Sequence, residues 1–130
     1  MFALFRFVRE DAQPVPCSGH AGEQQPVYVG TGDELRRRGR LVVRVPQSDV
    51  PVVVVGTRRG VFAFGDRCPH ADASLRAGGV AGTTITCPRH ARRYSLKSGR
   101  CVSALGSAAR LRRWRVWLDD NKVWIGEELT

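Results

Sequence analysis

The chain reads as one all-β domain on three observations. Its 130 residues are one domain's worth of protein. From Val27 onward the sequence breaks into short β-branched runs, and Gly, Pro and polar clusters separate those runs as turns do. Val27 to Val29 is the first short strand. Thr31-Gly-Asp-Glu34 has the spacing of a helix capping box and predicts a single helical turn through Leu35. Leu41 to Val45 and Val52 to Val55 are β-branched strands bounded by Pro46 and Gly56. Thr57-Arg-Arg-Gly60 supplies a turn into Val61 to Phe64, so these two runs form a hairpin. That hairpin delivers the chain to Cys68. After the Gly-rich stretch Ala77 to Gly82, the run Thr83 to Thr86 leads into Cys87 in the same way. Tyr94 to Leu96 follows, with Lys97-Ser-Gly-Arg100 as a turn. Leu111 to Leu118 and Lys122 to Ile125 make a closing hairpin across Asp119-Asp-Asn121. Alternation there puts Trp114, Val116 and Leu118 on one face and Arg113, Arg115 and Trp117 on the other. The tryptophans are read as core or cross-strand packing.

Composition narrows the class. A hydrophobic fraction of 42% and a charged fraction of 25% argue against overall disorder. No apolar run approaches the roughly 20 residues of a spanning helix. Met1 to Val8 is apolar but carries Arg6 and leads into Arg9, Glu10 and Asp11, which is unlike a secretory signal. A cytoplasmic location is therefore expected. Residues 1–26 are rich in Pro, Gly, Ser and Gln, the composition of a loosely held extension, although the apolar opening could add an edge strand or touch a partner. The formal net charge is +9, and only Lys97 and Lys122 among the 21 basic residues are lysines. Such a balance asks for an acidic partner: nucleic acid, anionic lipid or an acidic protein face.

Four cysteines in a reducing compartment point to metal rather than to disulfides. Cys68 and His70 have one residue between them, Cys87 and His90 have two, and 16 residues separate the pairs. Four such ligands on two loops can hold a tetrahedral zinc or a cluster whose two irons are ligated differently. Cys-x-His is a tight spacing for turning both side chains onto one ion. With two irons, Cys68 and Cys87 can take one and His70 and His90 the other. Cys17-Ser-Gly-His20 reads as tail composition, because no second pair remains to complete a site. Cys101 reads as a free thiol near the metal-binding segment, with no His base for a nucleophilic role.

Cys68-Pro-His70, sixteen residues, and Cys87-Pro-Arg-His90 resemble the two boxes of the Rieske 2Fe-2S family. The surroundings agree: Val61-Phe-Ala-Phe-Gly-Asp-Arg-Cys68 before the first box, Leu75 in the linker, Gly79-Val-Ala-Gly82 before the second strand, and Tyr94-Ser-Leu after the second box. The resemblance covers about residues 27 to 126. It implies an antiparallel β-sandwich over 27–130 with a small cluster-binding subdomain inserted at about 66–100. It also implies one Rieske-type 2Fe-2S cluster held by Cys68, His70, Cys87 and His90. High-potential relatives have two further cysteines that brace the loops with a disulfide; here those positions are Ala73 and Arg89. Those relatives also place a Ser and a Tyr as hydrogen-bond donors near the sulfurs, where this chain has Arg92 and Tyr94. Losing the Ser should lower the potential, and an inward Tyr94 keeps part of the effect. Position 91, Gly in most relatives, is Ala here.

The resemblance therefore implies a soluble, oxygenase-type ferredoxin, a one-electron carrier with no membrane anchor. A flavin-dependent reductase and a terminal oxygenase are the implied partners, and the implied potential is roughly -150 to 0 mV. Two ferric ions and two sulfides carry two positive charges, which two thiolates cancel; the oxidised site is neutral and the reduced site is an anion. Cationic surroundings favour reduction. Between Asp66 and Arg100 lie Arg67, Arg76, Arg89, Arg92, Arg93, Lys97 and Arg100 against Asp66 and Asp72. This is either a solvated basic face or one that meets acidic docking surfaces. With His70 and His90 spent, only His20 remains, so the two-histidine carboxylate iron site of an oxygenase cannot be built and the chain is not expected to be an enzyme. Two other readings stand beside this one. A nitrite reductase small subunit is similar in length, though relatives there often lack some ligands. A zinc-stabilised basic module for nucleic acid would use the charge, but no nucleic-acid motif is present.

Overall fold

The computed structural model describes residues 25–46, 48–104 and 106–129. Cys17, His20 and residues 1–24 of the expected extension lie outside them. The elements in order are β1 (Val27–Thr31), α1 (Gly32–Arg38), β2 (Arg40–Val43), β3 (Val52–Thr57), β4 (Gly60–Gly65), β5 (Gly79–Ala81), β6 (Thr84–Thr86), β7 (Arg93–Ser95), β8 (Arg113–Asp119) and β9 (Lys122–Leu129). They form two antiparallel sheets, one of six strands in the order β1-β9-β8-β4-β3-β2 and one of three in the order β5-β6-β7.

The large sheet curls until β1 and β2, its two edges, come into contact. All six strands feed one interior: Val27 and Val29, Leu41 and Val43, Val52 and Val54, Val61 and Ala63, Trp114 and Val116, Val123 and Ile125. Leu35 of α1 joins the same core and lies against Gly56. This nearly closed antiparallel sheet is the expected all-β body. The run Val52-Val-Val-Val55 explains how the smaller sheet attaches. Val52 and Val54 point inward, while Val53 and Val55 pack outside with Phe62 and Phe64, their cross-strand neighbours. An unbroken β-branched run belongs on a strand covered on both faces, and here the cover is the smaller sheet. Leu75, Ile85, Tyr94 and Leu96 complete this second core.

Local chemistry sets the boundaries. Thr31 Oγ1 accepts from the Glu34 amide at 2.9 Å, as the capping box predicts. The helix runs seven residues instead of one turn, because Arg36, Arg37 and Arg38 suit its C-terminal end and the Gly39 amide closes on Leu35 O at 2.7 Å. The closing hairpin turns through Asp120 and Asn121, both at positive φ, the geometry of a type I′ turn. β9 continues to Leu129, beyond the expected Ile125, because β8 offers partners as far as Arg113. β8 starts at Arg113, and Leu111 is buried just before it. The register shift between Trp114 and Val116 puts its extra residue in β9, so β8 keeps its alternation: Trp114 and Val116 face the interior, while Leu118, opposite buried Val123, is exposed near the end of the strand. Trp117 and Trp124 pair across β8 and β9 on the outer face, beside Tyr28. β5 lies in the Gly-rich stretch, where pairing with Thr84–Thr86 imposes a strand that Gly79 and Ala81 do not favour.

The smaller sheet is inserted between β4 and β8, and its root is stitched. The Gly65 amide donates to Arg112 O at 2.9 Å where the chain leaves and returns, and the Asp66 amide donates to Pro51 O at 2.9 Å. Arg40 of β2 reaches across to Arg76 O and Gly78 O at 2.6 and 2.9 Å. Among the described residues no helix is long and apolar enough to cross a membrane.

Candidate metal centre

Two loops carry the four expected ligands, and they are built alike. Cys68 follows β4, and its amide donates to Ala73 O at 2.7 Å; Cys87 follows β6, and its amide donates to Arg92 O at 2.7 Å. Each cysteine thus closes a ring onto the residue five positions on. Its carbonyl accepts from within the same loop, from Ala71 at 3.2 Å in the first and Ala91 at 2.9 Å in the second. Closing the second ring puts Ala91 at φ 59, in the left-handed region that favours Gly.

Both thiols are only 1% exposed, and Cys68 lies near enough to help lower the Cys87 thiol. His70 is half-buried and His90 exposed, with ring centroids 4.7 Å apart at 80°. Cys68 Sγ lies 2.8 Å from His70 Nδ1. The four side chains therefore form a chain of neighbours, Cys87 to Cys68 to His70 to His90, with sulfurs below and imidazoles at the rim. Among the described residues no group of three or more His, Cys, Asp or Glu converges as ligands of one ion. Two paired thiols beneath two paired imidazoles fit a cluster with two differently ligated irons.

The surroundings favour ligation. Burial would push the Cys87 thiol up, but the amides of Arg89 and His90, the Cys68 contact and the Arg89 charge outweigh it and hold the thiol below its ordinary value. Burial, then the charges of Arg92 and His90, lower His70, which keeps its imidazole neutral. Tyr94 is fully buried, with its hydroxyl 3.6 Å from Cys68 Sγ and 3.4 Å from His70 Nδ1. Burial, then the Cys68 contact, raises its phenol far above the ordinary range, so it stays protonated and can donate to sulfur. Cys101 is a free, half-buried cysteine whose backbone pairs with that of Tyr94 in an isolated antiparallel bridge. Burial opposes its ionisation, yet the Ser103 amide and hydroxyl, the Ala104 amide and Arg92 lower it.

Sequence reasoning missed Asp66. This buried carboxylate accepts from Ser74 Oγ and from the amides of Leu75 and Arg76 at 2.7 to 2.9 Å, and it pairs with the Arg76 guanidinium at 2.7 Å. Burial opposes its charge, but these bonds together hold the carboxyl below its ordinary value. The only signal was an acid two residues before the first cysteine. Of the basic residues around the site, Arg67 pairs with Asp72 at 3.2 Å. Arg89, Arg93, Lys97 and Arg100 are exposed and pair with no acidic side chain among the described residues.

A nearly closed β-sheet that carries paired thiols and imidazoles on two matching loops is the architecture of a small iron-sulfur electron carrier. Residues 25–115 match the Rieske 2Fe-2S domain, and the chain belongs to that family. Its cofactor is accordingly a Rieske-type 2Fe-2S cluster and its role that of a Rieske electron carrier. The tetrahedral zinc alternative is set aside. The chain is similar in structure to the ferredoxin of carbazole 1,9a-dioxygenase from Nocardioides aromaticivorans IC177, with 27% identity and a TM-score of 0.68 over 80% of this chain and 99% of that one. It is equally similar to a protein described as the small subunit of an NADPH nitrite reductase, with 27% identity and a TM-score of 0.66 over 78% of this chain and 97% of that one. A protein of Mycolicibacterium smegmatis (strain ATCC 700084 / mc(2)155), described as a Rieske 2Fe-2S iron-sulfur protein, is 38% identical over 53 residues, 40% of this chain. The match spans only 10% of that relative's length.

Proposed function

We propose that Cys68 and Cys87 ligate one iron of the cluster and His70 and His90 the other, and that the chain is the ferredoxin of a multicomponent oxygenase. In this reading it carries single electrons from a flavin-dependent reductase to a terminal oxygenase and catalyses no reaction itself. The observation that carries the ligand assignment is the chain of contacts from the two buried thiols to the two rim imidazoles. When bound, the cluster supplies a one-electron redox couple. The protein's part is to bury the sulfurs, donate hydrogen bonds to them from Tyr94 and the amides of Arg89 and His90, and leave His90 at the surface. In this reading residues 27–130 are the Rieske domain, about 66–100 its cluster-binding subdomain, and 1–26 an N-terminal extension.

Exposed Arg89, next to His90, and half-buried Arg92, near His70, give the site a basic rim, which suits acidic docking faces on redox partners in a cytoplasmic system. Salt should slow electron delivery if these charges steer encounter; rates indifferent to ionic strength would count against it. The four-ligand set favours an oxygenase ferredoxin. The equal likeness to a nitrite reductase small subunit keeps that system as the second reading. Purified protein should be red-brown, bleach with dithionite and pass electrons to an oxygenase. A bleachable protein that supports only a nitrite reductase would move the assignment to the second system, and a colourless protein would overturn the ligand assignment.

A further inference from the structure

The first donor loop is closed by a charge pair as well as by its backbone. The Asp66 amide is tied to Pro51 O of the large sheet at 2.9 Å. Its Oδ1 gathers Ser74 Oγ at 2.7 Å, the Leu75 amide at 2.9 Å and the Arg76 amide at 2.8 Å. Its Oδ2 takes both Nε and Nη2 of Arg76, at 2.8 and 2.7 Å. Cys68 and His70 lie inside the loop that these bonds close. Arg76 is fixed from the other side, since Arg40 of β2 holds the carbonyls of Arg76 and Gly78. A side chain at Gly78 would run into the Thr86 carbonyl, so the end of this loop is pressed against the strand that leads to Cys87.

Asp66 is two residues from Cys68, so their Cα atoms are at most about 7 Å apart. A carboxylate at the root of the same loop, with its side chain only 4% exposed, is poorly screened and should oppose an extra electron on the cluster. Arg76 sits against it with its side chain 51% exposed and offsets that charge.

We propose that Asp66 and Arg76 form a positioning and charge-balancing pair: Asp66 fixes the loop that presents Cys68 and His70, and Arg76 neutralises it so that the buried carboxylate does not suppress reduction. The proposal rests on Cys68 and His70 being ligands. Neither residue touches the metal; both act through the loop and through their charge.

The test is redox titration of the cluster-loaded full chain in four variants. Asp66→Asn keeps an acceptor for the three Oδ1 bonds and removes the charge. It should shift the equilibrium at least threefold toward reduction, about 28 mV at 59 mV per tenfold. Arg76→Gln exposes the cluster to an unbalanced carboxylate and should shift it in the opposite sense by about twofold, the smaller step because Arg76 is half in solvent. Arg76→Lys should restore the wild-type equilibrium. Asp66→Ala, which loses the loop closure, should release iron to a chelator several-fold faster. A residue that only braces the fold would not move the potential in opposite directions for the two charges. Unchanged potentials, or both single variants shifting the same way with intact visible spectra, would overturn the proposal. Were Asp66→Asn to load no cluster, Arg76→Gln alone decides it, an upward shift sinking the idea. Retention of the cluster by Cys68→Ala would instead sink the ligand assignment, a failure distinct from that of the charge pair.

Discussion

The two sheets are stabilised by different means. The large sheet has strands of four to eight residues that share one apolar interior from β1 to β9. The smaller sheet has three strands of three residues each, too short to be stable alone. It rests on Val53, Val55 and Phe64 of the large sheet, and polar bonds from Asp66, Arg40 and Arg113 fasten its loops. Burying each valine of β3 is worth roughly 1.5–3 kcal/mol, whereas each loop hydrogen bond nets about 1 kcal/mol. Burial therefore maintains the body of the protein. The positions of the proposed ligands depend on bonds that are individually weak and directional.

The sharpest way to separate the two regions is to remove a proposed ligand. Cys87→Ser should abolish the visible absorption of the loaded protein while far-UV circular dichroism keeps the signature of the large sheet. Global unfolding would mean that the cluster supports the body as well as the loops. The complementary variant is Ile125→Ala, in the interior that the site does not share. Emptying that position should cost about 2–5 kcal/mol in denaturant unfolding. The reduction potential should stay put, because neither loop is touched.

The same division decides what was legible in the sequence. The two Cys-His boxes and their strand exits could be read because each is local: a strand exit, a cysteine and a histidine within four residues. The unbroken Val52–Val55 run and the capping box of Thr31 and Glu34 were legible for the same reason. What could not be read was long-range. Arg40 acts on a carbonyl 36 residues away, and Asp66 reaches partners eight to ten residues on through a fold that must already exist. β5 escaped notice because its strand conformation comes from its neighbour and not from its own residues. The exposure of Leu118 could not be read because alternation gives the face of a strand and not how far the core extends along it.

Charge at the rim gives a smaller, kinetic test of the loop region. Arg89 is exposed beside His90 and has no acidic partner among the described residues. Arg89→Glu should slow electron transfer to an acidic partner by roughly tenfold at low salt, with the gap closing at high salt. The equivalent reversal at Arg58, on the far turn between β3 and β4, should change little. Equal losses from both sites would mean that net charge matters and the rim does not.

The finest test concerns one methyl group. Ala91 holds φ 59 because its amide must reach Cys87 O at 2.9 Å while the Cys87 amide reaches Arg92 O. A Cβ in that conformation costs roughly 1–2 kcal/mol, and Gly avoids the cost but adds roughly 0.5–1 kcal/mol of unfolded-chain entropy. Relief should win by about 0.5–1 kcal/mol, so Ala91→Gly should raise the thermal midpoint of the loaded protein by about 2–5 °C. Ala91→Val should lower it, since a β-branched residue tolerates positive φ less well. Because the amides of Arg89 and His90 donate to Cys87 within this same turn, Ala91→Val should also speed cluster loss to a chelator, while Ala91→Gly leaves the visible spectrum unchanged. A midpoint that falls with Gly would show that the loop draws rigidity from Ala91 and is not strained by it.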